Sequence, residues 1–140
     1  MAMNNNMMEN RKEMVQVITD KHEIENNYRT NVAQARGLIH LDMNDFYGFA
    51  NKHKLVMEVI VDSPAPVSEQ TKTAVAEVKK HGIETIAAII LSVSYNSLLP
   101  LTVKELNSIS DFFDCNEIKR GVQENDSISN DRSISLYVFE

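Results

Sequence analysis

Residues 86–95 read IAAIILSVSY and make up the most apolar segment of this 140-residue chain. An apolar run of this length that is rich in β-branched residues is typical of a strand buried on both faces of a sheet. The run is too short for a membrane-spanning helix, which needs about 20 apolar residues. We therefore predict that residues 86–95 form an interior strand of the domain.

Three further segments are predicted to be strands. Residues 54–62 (KLVMEVIVD) are rich in β-branched residues, and a Ser-Pro-Ala-Pro sequence follows them and ends the strand. Residues 117–123 (EIKRGVQ) and 133–139 (SISLYVF) are the other two, and apolar and polar side chains alternate along the last. Because only a short polar connection over residues 125–132 joins these two strands, we expect them to be antiparallel neighbours.

Helices are predicted between the strands. Residues 68–81 place alanine and valine on one face, and Gly82 follows them as a C-cap. Thr102 and Glu105 have the spacing of a capping box, in which each side chain bonds an unpaired amide at a helix start. A helix is therefore predicted to begin there and to continue as far as Phe113.

The amino-terminal part of the chain has weaker patterns. Residues 1–14 are rich in Asn and Met and lack hydrophobic periodicity, which is typical of a disordered lead-in. Residues 15–35 are interpreted as a helix, most clearly from residue 20 onward, with a thin apolar stripe. A short helix over residues 45–53 is expected after the next loop, with Asn44 or Asp45 as its N-cap.

Together these elements predict an α+β fold, a four-stranded mixed sheet with helices packed on one face. We expect residues 36–140 to form one domain, because no linker or internal repeat divides them. A chain of 140 residues can bury one hydrophobic core without disulfides or structural metals.

The composition argues against several classes of partner. The formal net charge is −6, whereas nucleic acids and anionic membranes attract clustered Lys and Arg. Cys115 is the single cysteine, so an internal disulfide cannot form and a reducing compartment is expected. We find neither a signal peptide nor an apolar window long enough for a membrane helix. We therefore expect a cytoplasmic protein that binds neither nucleic acid nor membrane.

Sequence motifs for cofactor chemistry are absent. The chain has four glycines and neither the GxxxxGK[ST] nor the GxGxxG pattern, although phosphate-binding loops need closely approached backbone amides. It also lacks the HExxH motif and any Cys/His cluster with metal-ligand spacing. We therefore expect no cofactor, no bound metal and no enzymatic activity of this chain on its own.

One short segment carries candidate functional groups. Residues 37–45 (GLIHLDMND) place Asp42 and Asp45 three residues apart, at the junction between a loop and a predicted helix. Two carboxylates with this spacing can orient a water molecule or a cation. They can also cap the helix and complement its dipole, which is the favoured interpretation of the pair considered alone.

The same segment resembles the start of the carboxy-terminal domain of FtsZ, the bacterial tubulin-like cell-division GTPase. Residues 37–46 (GLIHLDMNDF) share its order of a glycine, an apolar pair, a polar residue, an apolar residue and two Asp residues three apart. Four further segments are similar to its alanine-rich helix, its central strand, its Leu-Thr and helix segment, and its final β-hairpin: residues 68–82, 87–95, 98–113 and 117–140. The resemblance covers residues 36–140 and implies an FtsZ-like or tubulin-like carboxy-terminal fold.

The resemblance also implies a role for the acidic pair. In FtsZ and tubulins this loop projects from one subunit into the nucleotide site of the next, where its carboxylates help to position the water that attacks the γ-phosphate. Asp42 and Asp45 match those acids and would be catalytic only in trans. Gly37, His40 and Asn44 complete the matching interaction loop, with His40 where the family usually has Asn. The GTP-binding half of the family has no counterpart in these residues.

These observations lead to three functional expectations. The first is a non-catalytic interaction or assembly module that binds a protein partner, either a second copy of itself in a homo-oligomer or a tubulin-like GTPase. The second is a half-site that contributes carboxylates to GTP hydrolysis on a partner. The third is a regulatory α+β domain that senses a small ligand, because such sheets serve many unrelated functions.

Overall fold

The computed structural model describes residues 13–109, 113, 115 and 117–140. In chain order the elements are β1 (Met14–Ile18), α1 (Lys21–Tyr28), β2 (Gly37–Ile39), α2 (Met43–Ala50), β3 (Leu55–Ser63), α3 (Val67–Lys80), β4 (Ala88–Tyr95), α4 (Val103–Asn107), β5 (Glu117–Glu124) and β6 (Arg132–Phe139). A π-helical turn over Arg29–Ala33 extends α1.

The strands of the described residues join one mixed sheet of six strands in the order β1-β3-β6-β4-β5-β2. The prediction of an α+β fold with a mixed sheet is therefore confirmed, and the prediction of four strands is wrong. The two additional strands lie at the edges, where β1 pairs with β3 and β2 pairs with β5, both antiparallel. Edge strands are partly solvated and β2 has only three residues, so neither produces a strong hydrophobic pattern.

Strand β1 lies where the sequence predicts the end of a disordered lead-in and the beginning of a helix. Its valines, Val15 and Val17, pack against the hydrophobic core between the sheet and α3. Helix α1 begins only at Lys21, because the Asp20 carboxylate accepts hydrogen bonds from the amides of His22 and Glu23 and caps the helix there. The remainder of the predicted lead-in, residues 1–12, lies outside the described residues.

Strand β4 lies between β5 and β6, parallel to the first and antiparallel to the second. The last two strands are therefore not neighbours, and the predicted hairpin is wrong. Residues 125–131 instead cross the end of β4, where the amide of Asn125 donates to the carbonyl of Tyr95 at 2.9 Å. An interior position buries both faces of the most apolar strand and pairs both of its backbone edges.

Helices cover both faces of the sheet, so the prediction of helices on one face is also wrong. Alternate residues of β4 point to opposite faces. Ile89 and Leu91 join a core that includes side chains of α3 and α4, whereas Ala88 and Ile90 join a second core with α1 and α2. A strand that is apolar on both faces needs cover on both, and α1 and α2 together supply the second layer.

Local signals predict the end of α3 and the start of α4, whereas α2 spans Met43–Ala50 with Asp42 as its N-cap, rather than residues 45–53 with Asn44 or Asp45 as the cap. Gly82 follows α3 with a φ of +76°, a conformation that glycine adopts without strain. Thr102 and Glu105 form the capping box of α4 with both reciprocal hydrogen bonds. This helix ends at Asn107 rather than at the predicted Phe113, and part of the intervening stretch lies outside the described residues.

Candidate functional site

The predicted site residues lie on one continuous segment, residues 37–45, which we call the site loop. It consists of β2, at one edge of the sheet, and the first turn of α2. Gly37 lies opposite Gln123 on β5, and Ile39 lies opposite Val122. A Cβ atom at Gly37 would overlap the carbonyl oxygen of Val122, so this approach requires glycine. The first residue of the site loop is thus held against the sheet.

Leu41 and Gln123 fix the middle of the site loop. Leu41 is buried over Gly121, where an added Cβ atom would lie 3.0 Å from Leu41 Cδ1. Gln123 is fully buried, donates from Nε2 to the carbonyl oxygen of Ile39 at 3.5 Å, and accepts a hydrogen bond from the Ser92 hydroxyl. The absence of a side chain at Gly121 therefore leaves room for the side chains of Leu41 and Gln123.

Asp42 and Asp45 form a capping box at the start of α2. Asp42 Oδ1 accepts from the backbone amide of Asp45 at 3.2 Å, and Asp45 Oδ2 accepts from the amide of Asp42 at 2.9 Å. The pair thus satisfies two amides that the helix itself leaves unbonded. The geometry supports helix capping as the role of this pair within the chain, and a role in chemistry stays a prediction.

Asp45 also forms an ion pair with β5. Its Oδ1 accepts from Nζ of Lys119 at 3.0 Å, and that ammonium lies 5.0 Å from the centre of the Phe49 ring. Partial burial alone would raise the pKa of Asp45, but the backbone hydrogen bond from Asp42 and the ammonium of Lys119 hold it below its usual value. Both oxygens of Asp45 are therefore engaged in holding the site loop.

Tyr28 of α1 supports the site loop through a hydrogen bond to its backbone. Its hydroxyl donates to the carbonyl oxygen of Asp42 at 2.9 Å, and its ring lies 4.9 Å from that of Phe46. Burial, together with the negative charges of Asp45 and Asp42, raises the pKa of Tyr28 far above its ordinary value. The hydroxyl thus remains a hydrogen-bond donor at all physiological pH values.

Five side chains of the site loop are exposed above this fixed backbone: Leu38, Ile39, His40, Asp42 and Asn44. The apolar pair is the most notable feature, since 62% of Leu38 and 37% of Ile39 are accessible to solvent. A groove of about 400 Å³ borders the same surface. It is lined by residues of the π-helical turn and of the α2 start: Arg29, Ala33, Gln34, Asp42, Met43 and Asn44.

The five predicted interaction residues lie within residues 37–45 by their place in the sequence, and the structure shows that their side chains differ in exposure and in partners. Asp45 points to Lys119, whereas Asp42 and Asn44 face solvent. Sequence reasoning missed the supporting residues Tyr28 and Gln123, because both lie far from the site loop in the chain. A glycine within a strand often marks a close approach, so Gly121 was the one signal pointing to this place.

Two negative observations apply to the described residues. None of their His, Cys, Asp and Glu side chains gather in groups of three or more that could hold a metal ion. Over the same ranges, no helix is both long and apolar enough to cross a membrane.

Two substitutions at Asp42 separate its capping role from its charge. We expect Asp42→Ala to lower the free energy of unfolding by about 1 kcal/mol, because it removes the N-cap acceptor. Asp42→Asn should change it by less than about 0.5 kcal/mol, because asparagine caps helices equally well. Urea denaturation followed by circular dichroism measures both. An equal loss in the two variants would show that the carboxylate charge, rather than the cap, stabilises this helix start.

Comparisons with known proteins place no constraint on this site. No model of a known protein family matches the sequence, and a search of curated proteins gives no match either.

Proposed function

We propose that this chain is a non-catalytic interaction module that binds a second copy of itself or a tubulin-like partner through the exposed side of the site loop. The observation that carries the proposal is an apolar pair, Leu38 and Ile39, exposed on a backbone that the rest of the chain holds in place. Strand β2 is an edge strand, and a sheet edge that carries exposed apolar side chains is available for contact with another chain.

The fixed backbone favours binding because little order must be gained when a partner arrives. Four contacts from outside the site loop hold it: Gly37 against Val122, the Gln123 amide on Ile39, the Tyr28 hydroxyl on Asp42, and the Lys119 ammonium on Asp45. These contacts come from α1 and β5, so the site loop is supported from two sides.

The composition of the surface indicates the chemistry of the partner. Leu38 and Ile39 are exposed apolar side chains on the edge strand β2, and the exposed polar residues His40, Asp42 and Asn44 follow them in the chain. A protein partner that contacts this edge would meet both apolar and polar groups. The resemblance of residues 36–140 to the FtsZ carboxy-terminal domain supports a tubulin-like GTPase, or this chain itself, as that partner.

The substitution Leu38→Ser should weaken binding about 10-fold to 100-fold, because burying one leucine contributes about 1.5–3 kcal/mol. Sedimentation velocity over a concentration series measures self-association, and co-sedimentation with FtsZ filaments measures binding to a tubulin-like partner. Met14→Ser is the matched control, since Met14 is 47% exposed on β1 at the opposite edge of the sheet. It should leave both kinds of binding unchanged.

Two results would contradict this proposal. The first is a wild-type chain that stays monomeric at all concentrations and does not sediment with FtsZ filaments. The second is a chain that does bind, but whose binding is weakened no more by Leu38→Ser than by Met14→Ser. The second result would place the contact elsewhere on the molecule.

A second candidate function is the supply of a carboxylate to GTP hydrolysis on a partner. Its supporting observation is Asp42, which is exposed at the α2 start while Asp45 is turned inward. The test compares partner GTPase rates with wild type and with Asp42→Asn, which keeps the helix cap and removes the charge. If the variant still binds and stimulates hydrolysis as wild type does, Asp42 has no chemical role.

A further inference from the structure

Glu58 is a carboxylic acid fully enclosed in the layer between the sheet and α1. It lies on β3, opposite Tyr137 of β6 and Ile18 of β1, and none of its surface is exposed. Its Oε1 accepts from the side-chain amide of Asn27 on α1 at 3.1 Å. In the described part of the chain, its Oε2 has no hydrogen-bond partner within normal geometry.

In the described part of the chain, the groups found to act on Glu58 include no basic side chain. The polar groups that face it are the Asn27 amide from α1 and the Tyr137 and Ser135 hydroxyls from β6. The charged group that acts on it is Glu23 of α1, a second acid. Among the described residues, none forms a salt bridge with Glu58 at 4.0 Å or less. A buried carboxylate without a counter-ion is costly, so the neutral form is favoured.

The pKa of Glu58 reflects this environment. Burial raises it from 4.5 to about 7, against the opposing effect of the polar groups on Asn27, Tyr137 and Ser135. The folded chain therefore holds the proton more tightly than the unfolded chain does. Stability from this group is full below pH 4.5, is lost as the pH rises to 7, and is level above that.

Helix α1 connects Glu58 to the site loop. Asn27, which binds Glu58, and Tyr28, which donates to the carbonyl oxygen of Asp42, are consecutive residues. Tyr28 also packs edge-on against Tyr137, the strand neighbour of Glu58, at a ring distance of 5.3 Å. A movement of α1 away from the sheet would therefore remove the Tyr28 hydrogen bond, which is the one contact of the four that α1 contributes to the site loop.

We propose that Glu58 is a pH-sensitive latch: its neutral form is compatible with α1 packed on the sheet, whereas its ionisation places a charge without a counter-ion in that layer and loosens α1 together with the Tyr28 contact to the site loop. The loosening of α1 stands on its own, and its effect on partner binding rests on the proposed function above. At pH 6 most Glu58 side chains are neutral and α1 packs on the sheet. At pH 8 most are ionised, and the buried charge favours the loosened state of α1.

Amide hydrogen exchange at pH 6 and pH 8 tests the latch, with rates corrected for intrinsic exchange. The protection of α1 and of residues 42–45, relative to α3 on the other face, should fall about tenfold between these two values. In Glu58→Gln, which cannot ionise, this ratio should be independent of pH. Glu84→Gln is the matched control at an exposed glutamate, and it should keep the pH dependence of wild type.

Three results would overturn the latch. One is a constant ratio in wild type, and another is the same pH dependence in Glu58→Gln as in wild type. The third is an equal loss of protection in α1 and α3, which would show that Glu58 acts on global stability only. If exchange behaves as expected but partner binding is the same in Leu38→Ser and wild type, the latch stands and the proposed function fails.

Discussion

Replacing Phe46 by alanine should lower the free energy of unfolding by about 3–5 kcal/mol, because a large cavity would remain in the second core. Phe46 is 1% exposed on α2, and its ring lies 4.9 Å from Tyr28, 5.7 Å from Phe139 and 6.4 Å from Tyr137. These rings come from two helices and a strand, so Phe46 joins the helical layer to the sheet. Aromatic pairs at such distances add to the energy of burial alone.

Urea denaturation of wild type and Phe46→Ala measures this difference. Leu98→Ala is a suitable control, because Leu98 is 86% exposed and its substitution should change stability by less than about 0.5 kcal/mol. A loss below about 1 kcal/mol in Phe46→Ala would mean that α2 does not pack on the sheet as described. The support of the site loop would then need a different explanation.

The substitution Asp62→Asn should lower the free energy of unfolding by about 2–4 kcal/mol, because hydrogen bonds to a buried carboxylate are strong and their loss leaves donors unpaired. Asp62 is buried near the end of β3. Its oxygens accept from the amides of Ser129 and Asn130 at 2.8 and 3.1 Å, and from the Asn130 side chain at 2.9 Å. An asparagine would turn its own NH₂ group towards some of these donors.

Asp126→Asn is the matched control for this experiment, because Asp126 lies in the same loop but is exposed. It accepts from the amide and the hydroxyl of Ser97 at 2.8 and 3.0 Å, and its substitution should cost less than about 1 kcal/mol. Equal losses in the two variants, measured by thermal or urea unfolding, would show that the Asp62 contacts do not anchor the loop that crosses β4.

The last two strands were wrongly expected to be neighbours because the loop that joins them is short, whereas Asp62 helps to hold that loop across the end of β4. A short polar connection usually joins adjacent strands. Here residues 125–131 cross the end of β4, and Asp62 on β3 holds the far side of that connection. The sequence of the loop does not predict this contact, because Asp62 is more than 60 residues away from it. An Asp at the end of a strand is also common, so its burial was not expected.

The site loop also has one feature that the sequence predicts and one that it does not. The spacing of Asp42 and Asp45 allowed helix capping to be expected, and both reciprocal hydrogen bonds are present. That Asp45 would turn to Lys119 and leave Asp42 exposed was not predictable. The ion pair joins β5 to α2, and only the packing of these elements brings the two charges together.

The sequence by itself determined the local features: the α+β class, the apolar strand around residues 86–95, the capping box at Thr102 and Glu105, and the glycine that ends α3 at Gly82, one residue after the C-cap His81. These depend on periodicity and on hydrogen bonds between residues a few positions apart. Tertiary structure alone decided the six-strand order, the cover on both faces and the support of the site loop by Tyr28 and Gln123. Strand pairing and buried contacts join distant residues, and their choice depends on the total burial of the chain rather than on any one segment.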